Sequence, residues 1–167
     1  MTYDDAQNGW NDEPSADPQI QKDYEAALGE FLVAFNRIEN TVSDIIVLAL
    51  KKAGREEILG SMAWDTFDRK IRNLELISLR FQEIASLRLI AELRALGTER
   101  NQLAHGHFEQ NPVDGSYVVV NRKNSRLKPV EEIRVFTERT KKADHQLRFF
   151  VARDCFEDTA LNARALL

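Results

Sequence analysis

The chain of 167 residues has a formal net charge of −4, with 43% hydrophobic and 30% charged residues, which suits one well-buried globular domain rather than two and argues against a protein that coats nucleic acid indiscriminately. The longest aliphatic run, Ile45 to Leu50, is too short to span a bilayer. No basic-then-apolar signal segment opens the chain, and the lone cysteine, Cys155, excludes an internal disulfide, so a reducing, cytoplasmic setting with no membrane is expected.

Residues 1–17 are polar, acidic and aperiodic, and read as a disordered tail ahead of a single domain over 18–167. Asp17-Pro18 is a helix start, a capping side chain followed by proline at the first helical position. Apolar residues then recur at Phe31, Phe35, Ile38, Val42, Ile45 and Ala49, in steps of four and three, and Ile20, Tyr24 and Leu28 extend the stripe backwards. This predicts one long amphipathic helix that ends near Ala53-Gly54, where glycine can take the left-handed cap.

A second helix is predicted from about Thr66 to Phe81, with Phe67, Ile71, Leu74 and Ile77 or Leu76 on one face. A third follows Gln82 and carries Ile84, Leu87, Leu89, Ile90, Leu93 and Leu96. It tolerates Gly97, at roughly 1 kcal/mol against alanine, and runs to His105 with Gly106 as its stop. The pattern then changes. "NPVDG" is turn chemistry, "YVVVNR" a β-branched strand, "KNSRLKP" a second turn, and "VEEIRVF" alternates as a partner strand. Thr137 is the expected N-cap of a last amphipathic helix over 138–166, with Leu147, Phe150, Val151, Ala160 and Leu161 facing inward. The fold class is therefore all-α, about four helices with a small β-hairpin, about 117–136, before the last.

Charge is unevenly spread. Residues 1–30 hold eight acids and one base, whereas residues 117–148 hold nine bases and four acids. Arg122, Lys123, Arg126 and Lys128, in and beside the hairpin, are the expected sequence-independent contacts to a polyanion.

The chemistry concentrates in "ERNQLAHGHF", Glu99 to Phe108. On a helix, Asn101 and His105 are i and i+4 neighbours, and Arg100 lies about 7.5 Å from His105 along the axis. The three can border one shallow groove while Leu103 and Ala104 pack elsewhere. Arginine offers a phosphate a planar fork of donors. Histidine gains and loses its proton near neutral pH, so it can take a proton from a ribose 2′-OH or deliver one to a leaving oxygen. Asparagine can orient the imidazole or donate to a non-bridging oxygen. Glu39, beside the stripe of the first helix, is placed to hold Arg100 or His105, Lys70 to add phosphate-binding charge, and His107 to flank the groove. Two histidines at i and i+2 do not converge from a helix end, so no metal site is expected, and the chemistry requires neither metal nor cofactor. The bland alternatives are a terminal histidine that serves the last carbonyls and an Arg100 paired with Glu99 or Glu92.

Arg100-Asn101-x-x-x-His105, with alanine before the histidine and glycine after it, resembles the R-N-x-x-x-H signature of HEPN (higher eukaryote and prokaryote nucleotide-binding) domains. The context is similar too: a mostly helical domain, with the motif late in a helix that follows two others, over roughly residues 18–167. The resemblance implies an antiparallel helical bundle and a homodimer whose cleft is lined by Arg100, Asn101 and His105 of both protomers. It further implies metal-independent endonucleolytic cleavage of RNA through 2′-OH attack, in a toxin with an antitoxin partner or another stress or phage-defence component. The family also has members that only bind, so a non-catalytic RNA- or nucleotide-binding module is the alternative. A purely structural dimerisation protein, built on the stripe of the first helix, is another.

Overall fold

Helix α1 (Pro18–Lys52) is the spine of the fold. The Asp17 carboxylate accepts the Gln19 backbone N–H at 2.8 Å, and Pro18 sits where a missing N–H costs nothing. At the far end Gly54 takes φ +63°, the left-handed turn that glycine adopts without a Cβ penalty. Tyr24, Phe31, Phe35, Ile38, Val42, Ile45 and Ala49 are buried as the spacing predicts, but Ile20 is largely exposed. The computed structural model describes residues 16–80, 85–121 and 124–164, except the side chains of Arg80, Asn124, Phe150 and residues 152–164. The expectations for residues 1–15, and for the side chains of Ile84, Phe150, Cys155, Ala160 and Leu161, lie outside the described residues.

After α1 a 3-10 turn (Glu56–Ile58) and the short α2 (Leu59–Met62) lead into α3 (Phe67–Arg80). Ser43 of α1 donates to the Ala63 carbonyl at 3.0 Å and fixes this return path. Helix α4 (Leu87–His105) starts a turn later than the apolar pattern suggests, because Ser86 supplies the cap, its hydroxyl oxygen accepting the Leu89 N–H at 3.2 Å. The sheet follows: β1 (His107–Gln110), β2 (Tyr117–Asn121) and β3 (Asn124–Leu127), antiparallel in that order, with His107 opposite Val120 and Val119 opposite Arg126. Helix α5 (Val130–Arg164) closes the fold.

The hairpin therefore differs from the expected one. "VEEIRVF" is not a strand but the first two turns of α5. Its alternation spans only seven residues, while Ile133, Phe136, Thr140, Ala143 and Leu147 are all buried at helical spacing, and the longer pattern decides. Thr137 caps nothing: its hydroxyl donates to the Ile133 carbonyl at 3.1 Å inside the helix. The partner strand comes instead from the stretch with turn composition, and the sheet gains a third strand directly after His105.

Helix directions also depart from a wholly antiparallel bundle. Phe31 meets Phe136 and Thr41 bonds Asp144 at 2.7 Å, so contacts advance together along α1 and α5. Phe35 packs on Phe67 and Glu39 pairs with Lys70, which gives α3 the same direction. Helix α4 runs against its neighbours, since Glu92 meets Arg139 while Glu99 meets Lys128. The long link after α1 brings the chain back so that α3 can run parallel to α1, whereas the sheet joins α4 to an antiparallel α5 at the same end. Among the described residues, no helix is long and apolar enough to cross a membrane.

Candidate functional site

The feature that shapes the local geometry is how closely α4 approaches its neighbours at two glycines. A Cβ on Gly97 would stand 2.9 Å from the Phe67 ring. A Cβ on Gly106 would stand 2.4 Å from Val119 Cγ1 and 2.6 Å from the Gln102 carbonyl oxygen. Gly106 has φ −79°, so its role is not a left-handed stop but a close approach that seats the end of α4 on β2. Between the two glycines lies the motif.

Arg100 is the anchored member. Its Nη1 donates to Asn101 Oδ1 at 2.9 Å and its Nη2 to Glu39 Oε2 at 3.2 Å. The guanidinium sits 5.1 Å from the centre of the Phe35 ring, which packs in turn on Phe67, so the cation rests on the aromatic floor that Gly97 admits. The other oxygen of Glu39 accepts from Lys70 Nζ at 3.2 Å. Glu39 thus bridges two cations drawn from α3 and α4. Lys70 is buried, Glu39 and Arg100 partly so. The cluster holds two positive charges against one negative.

Asn101 and His105 are exposed on the same side of α4. Asn101 turns its carbonyl oxygen to Arg100 rather than to the imidazole. Among the described residues none hydrogen-bonds to the imidazole of His105, the residue that ends α4. His107, on the edge strand β1, is exposed just beyond it. The structure therefore brings Glu39, Lys70, Arg100 and Asn101 into one network and leaves the imidazole beside it without a protein partner. Among the described residues, no group of three or more His, Cys, Asp and Glu side chains gathers as a metal site requires.

The basic residues of the hairpin fare differently. Lys128 is 1% exposed, with its Nζ donating to Glu99 Oε2 at 2.6 Å and Glu132 Oε1 at 2.8 Å. It also stands 4.7 Å from the Phe136 ring centre. It is a buried, doubly neutralised cation, not the surface charge expected of it. Arg126 is exposed but pairs with Glu132 at 3.1 Å. Arg122 and Lys123 lie outside the described residues. Glu99, a candidate partner of Arg100, is instead committed to Lys128, and Glu92 to Arg139. The aromatic floor beneath Arg100 escaped sequence reasoning, although a glycine inside a helical pattern was its one local sign.

Tyr24 stacks on Tyr117 with ring centres 4.0 Å apart and meets the edge of Phe108 at 6.0 Å, so the sheet is bolted to α1 by aromatics. Burial pushes the Tyr24 phenol up to about 12, which keeps it neutral and structural. No known protein family, characterised protein or solved structure matches the chain.

Proposed function

We propose that the chain is a HEPN-type endoribonuclease that needs no metal and acts as a homodimer, with Arg100, Asn101 and His105 of both copies along one cleft. One observation carries the reading: an anchored arginine in a cluster with one excess positive charge, next to an exposed imidazole to which no described residue hydrogen-bonds. Arginine has five N–H donors and the network uses two of them, so donors remain for a phosphodiester. His105 takes the proton of a ribose 2′-OH, and the oxygen attacks the adjacent phosphorus. The bond to the 5′ oxygen breaks, and the imidazolium returns its proton to that oxygen. The products are a 2′,3′-cyclic phosphate and a 5′-hydroxyl end. The setting that fits the resemblance is a toxin held by an antitoxin, or another stress or phage-defence component.

Gel-based cleavage of a labelled single-stranded RNA tests this. His105→Ala is expected to lose about 10²–10⁴-fold in rate while binding RNA nearly as wild type does. Arg100→Ala is expected to weaken binding and turnover together, because a charged donor contacts the phosphate in ground and transition states alike. Activity persists in EDTA, and sedimentation equilibrium gives a dimer at micromolar concentration. RNA that binds through Arg100 but is never cut would favour the binding module over the enzyme. Loss of activity in EDTA, or a clean monomer, would overturn the mechanism or the composite cleft respectively.

A further inference from the structure

A second concentration of charge lies on α4 away from the motif. Arg88 and Glu92 stand about 18 and 12 Å before Arg100 along the helix axis. Between this part of α4 and α5 is a groove of about 340 Å3, at the lower end of small-molecule sites. Its floor is apolar, formed by the buried Leu89 and Ala143. Its walls carry three cations, Arg88, Arg139 and Lys142, and one carboxylate, Glu92.

Glu92 is spent on Arg139. The guanidinium Nε and Nη2 donate to its two oxygens at 2.7 and 3.0 Å, a bidentate pair. Arg88, one turn before Glu92, and Lys142, one turn after Arg139, share the same faces. Among the described residues neither lies within 4.0 Å of a carboxylate. Their charges nevertheless reach Glu92, whose carboxyl is held below the ordinary range first by the Arg139 hydrogen bond and then also by the fields of Arg139, Arg88 and Lys142. Three cations therefore converge where one anion is present. In a chain of net charge −4, two positive charges of this groove have no ion-pair partner among the described residues.

Neutral donors border the same space. The Ser86 hydroxyl oxygen accepts the Leu89 N–H, which leaves its proton free to donate outward. The Gln146 amide has no hydrogen-bond partner among the described residues. A fork, a point charge, a hydroxyl and an amide facing one apolar-floored groove match a tetrahedral oxyanion of charge about −2. A single carboxylate would leave one cation unanswered.

We propose that the groove between α4 and α5 binds a small phosphate dianion, free or as the monoester of a small organic molecule, through Arg88, Lys142, Ser86 and Gln146. The site uses neither Arg100 nor His105, so it stands apart from the proposed nuclease chemistry.

Titration calorimetry on the full chain at constant ionic strength tests it, with inorganic phosphate, glycerol 3-phosphate and glycerol as probes. Saturable binding of phosphate that depends on Arg88 and Lys142 is expected, with no binding of glycerol. Glycerol 3-phosphate that binds more tightly than phosphate assigns the site to a monoester; equal affinity assigns it to the free ion. Arg88→Ala/Lys142→Ala is expected to weaken binding by at least about ten-fold, and both side chains are exposed, so the fold should survive. Amide shifts in wild type should move at Ser86, Arg88, Lys142 and Gln146, which decides the matter even if the variant is lost. Arg100→Ala, which removes the phosphate contact proposed at the other site, should retain the binding that the double variant loses. Binding absent at millimolar phosphate, unchanged in the double variant, or lost in Arg100→Ala overturns the inference.

Discussion

Lys128→Met tests whether the most enclosed charge among the described residues is structural. The ammonium is 1% exposed, bonded to Glu99 at 2.6 Å and Glu132 at 2.8 Å, and 4.7 Å from the Phe136 ring centre. Methionine keeps the length and the apolar stem but strands two carboxylates. Breaking a buried pair by removing one partner costs about 3–5 kcal/mol when the remaining charge stays buried. Here Glu99 and Glu132 keep 20% and 26% side-chain exposure, and Glu132 retains Arg126 at 3.1 Å. Partial rehydration therefore brings the expected loss down to about 2–3 kcal/mol, or a fall in Tm of about 5–10 °C at this chain length.

Urea unfolding followed by circular dichroism reads this as a lower midpoint at unchanged slope. A companion variant, Glu99→Gln/Lys128→Met/Glu132→Gln, strands no charge and should recover part of the loss. Destabilisation below about 0.5 kcal/mol, the range of an ordinary surface substitution, would refute the reasoning, as would a triple variant weaker than the single one. RNA affinity supplies the other arm. Because the charge is enclosed, its removal should leave the salt dependence of binding unchanged, whereas a true phosphate contact would flatten the slope by about one unit.

Gly106→Ala forces a Cβ to 2.4 Å from Val119 Cγ1 and 2.6 Å from the Gln102 carbonyl; with backbone on one side and a core residue on the other, about 1–3 kcal/mol should be lost to overpacking, and a wild-type urea midpoint would remove the close approach. Glu39→Gln leaves Lys70 buried without its carboxylate and Arg100 without its anchor. It should destabilise by about 1–3 kcal/mol and slow RNA cleavage by about 10–100-fold through misplacement of the guanidinium; equality with wild type in both assays would dismiss Glu39 as a positioning residue. Glu92 titrates below its ordinary 4.5 because Arg139 hydrogen-bonds it, so its pairing stabilises the fold above that pH and the contribution fades as pH falls through the lowered value. Glu92→Gln should accordingly show a shallower loss of stability on acidification than wild type, and parallel acid curves would count against the pair.

What could be read before folding depended on whether the decisive partners were near in sequence. Helix α1 was legible because each of its signals is local: the Asp17 cap, Pro18, the stripe from Tyr24 to Ala49, and Gly54. The start of α5 was not, since seven residues of "VEEIRVF" satisfy a strand and a helix alike, and only the continuation to Leu147 separates them. Lys128 illustrates the same limit in side-chain chemistry. Next to Pro129 in a basic stretch it looks like a solvated charge, and its burial requires Glu99 from 29 residues earlier in the chain as well as Glu132. The motif itself stood out by composition, yet its support did not: Glu39 meets Arg100 across 61 residues. Its place beside the apolar stripe of α1 made the contact a reasonable expectation; only packing brought Lys70 to the other oxygen of the same carboxylate.

That support is unequally shared, and the inequality bears on how such a site would work. Arg100 has an acidic clamp, an amide neighbour and an aromatic floor that rests on Gly97. Its orientation is set before any ligand arrives, which lowers the entropy lost on binding a phosphate. Asn101 and His105 have exposure instead of anchors, apart from the bond Asn101 makes to Arg100. Proton transfer needs an imidazole held within hydrogen-bond reach of the proton it moves, and this copy of the chain offers His105 no partner among its described residues. That constraint is supplied, under the proposed reading, by the substrate or by a second copy laid across the end of α4. Under the proposed reading the phosphate-binding half of the site is complete in one chain, and the proton-transferring half is completed only on assembly.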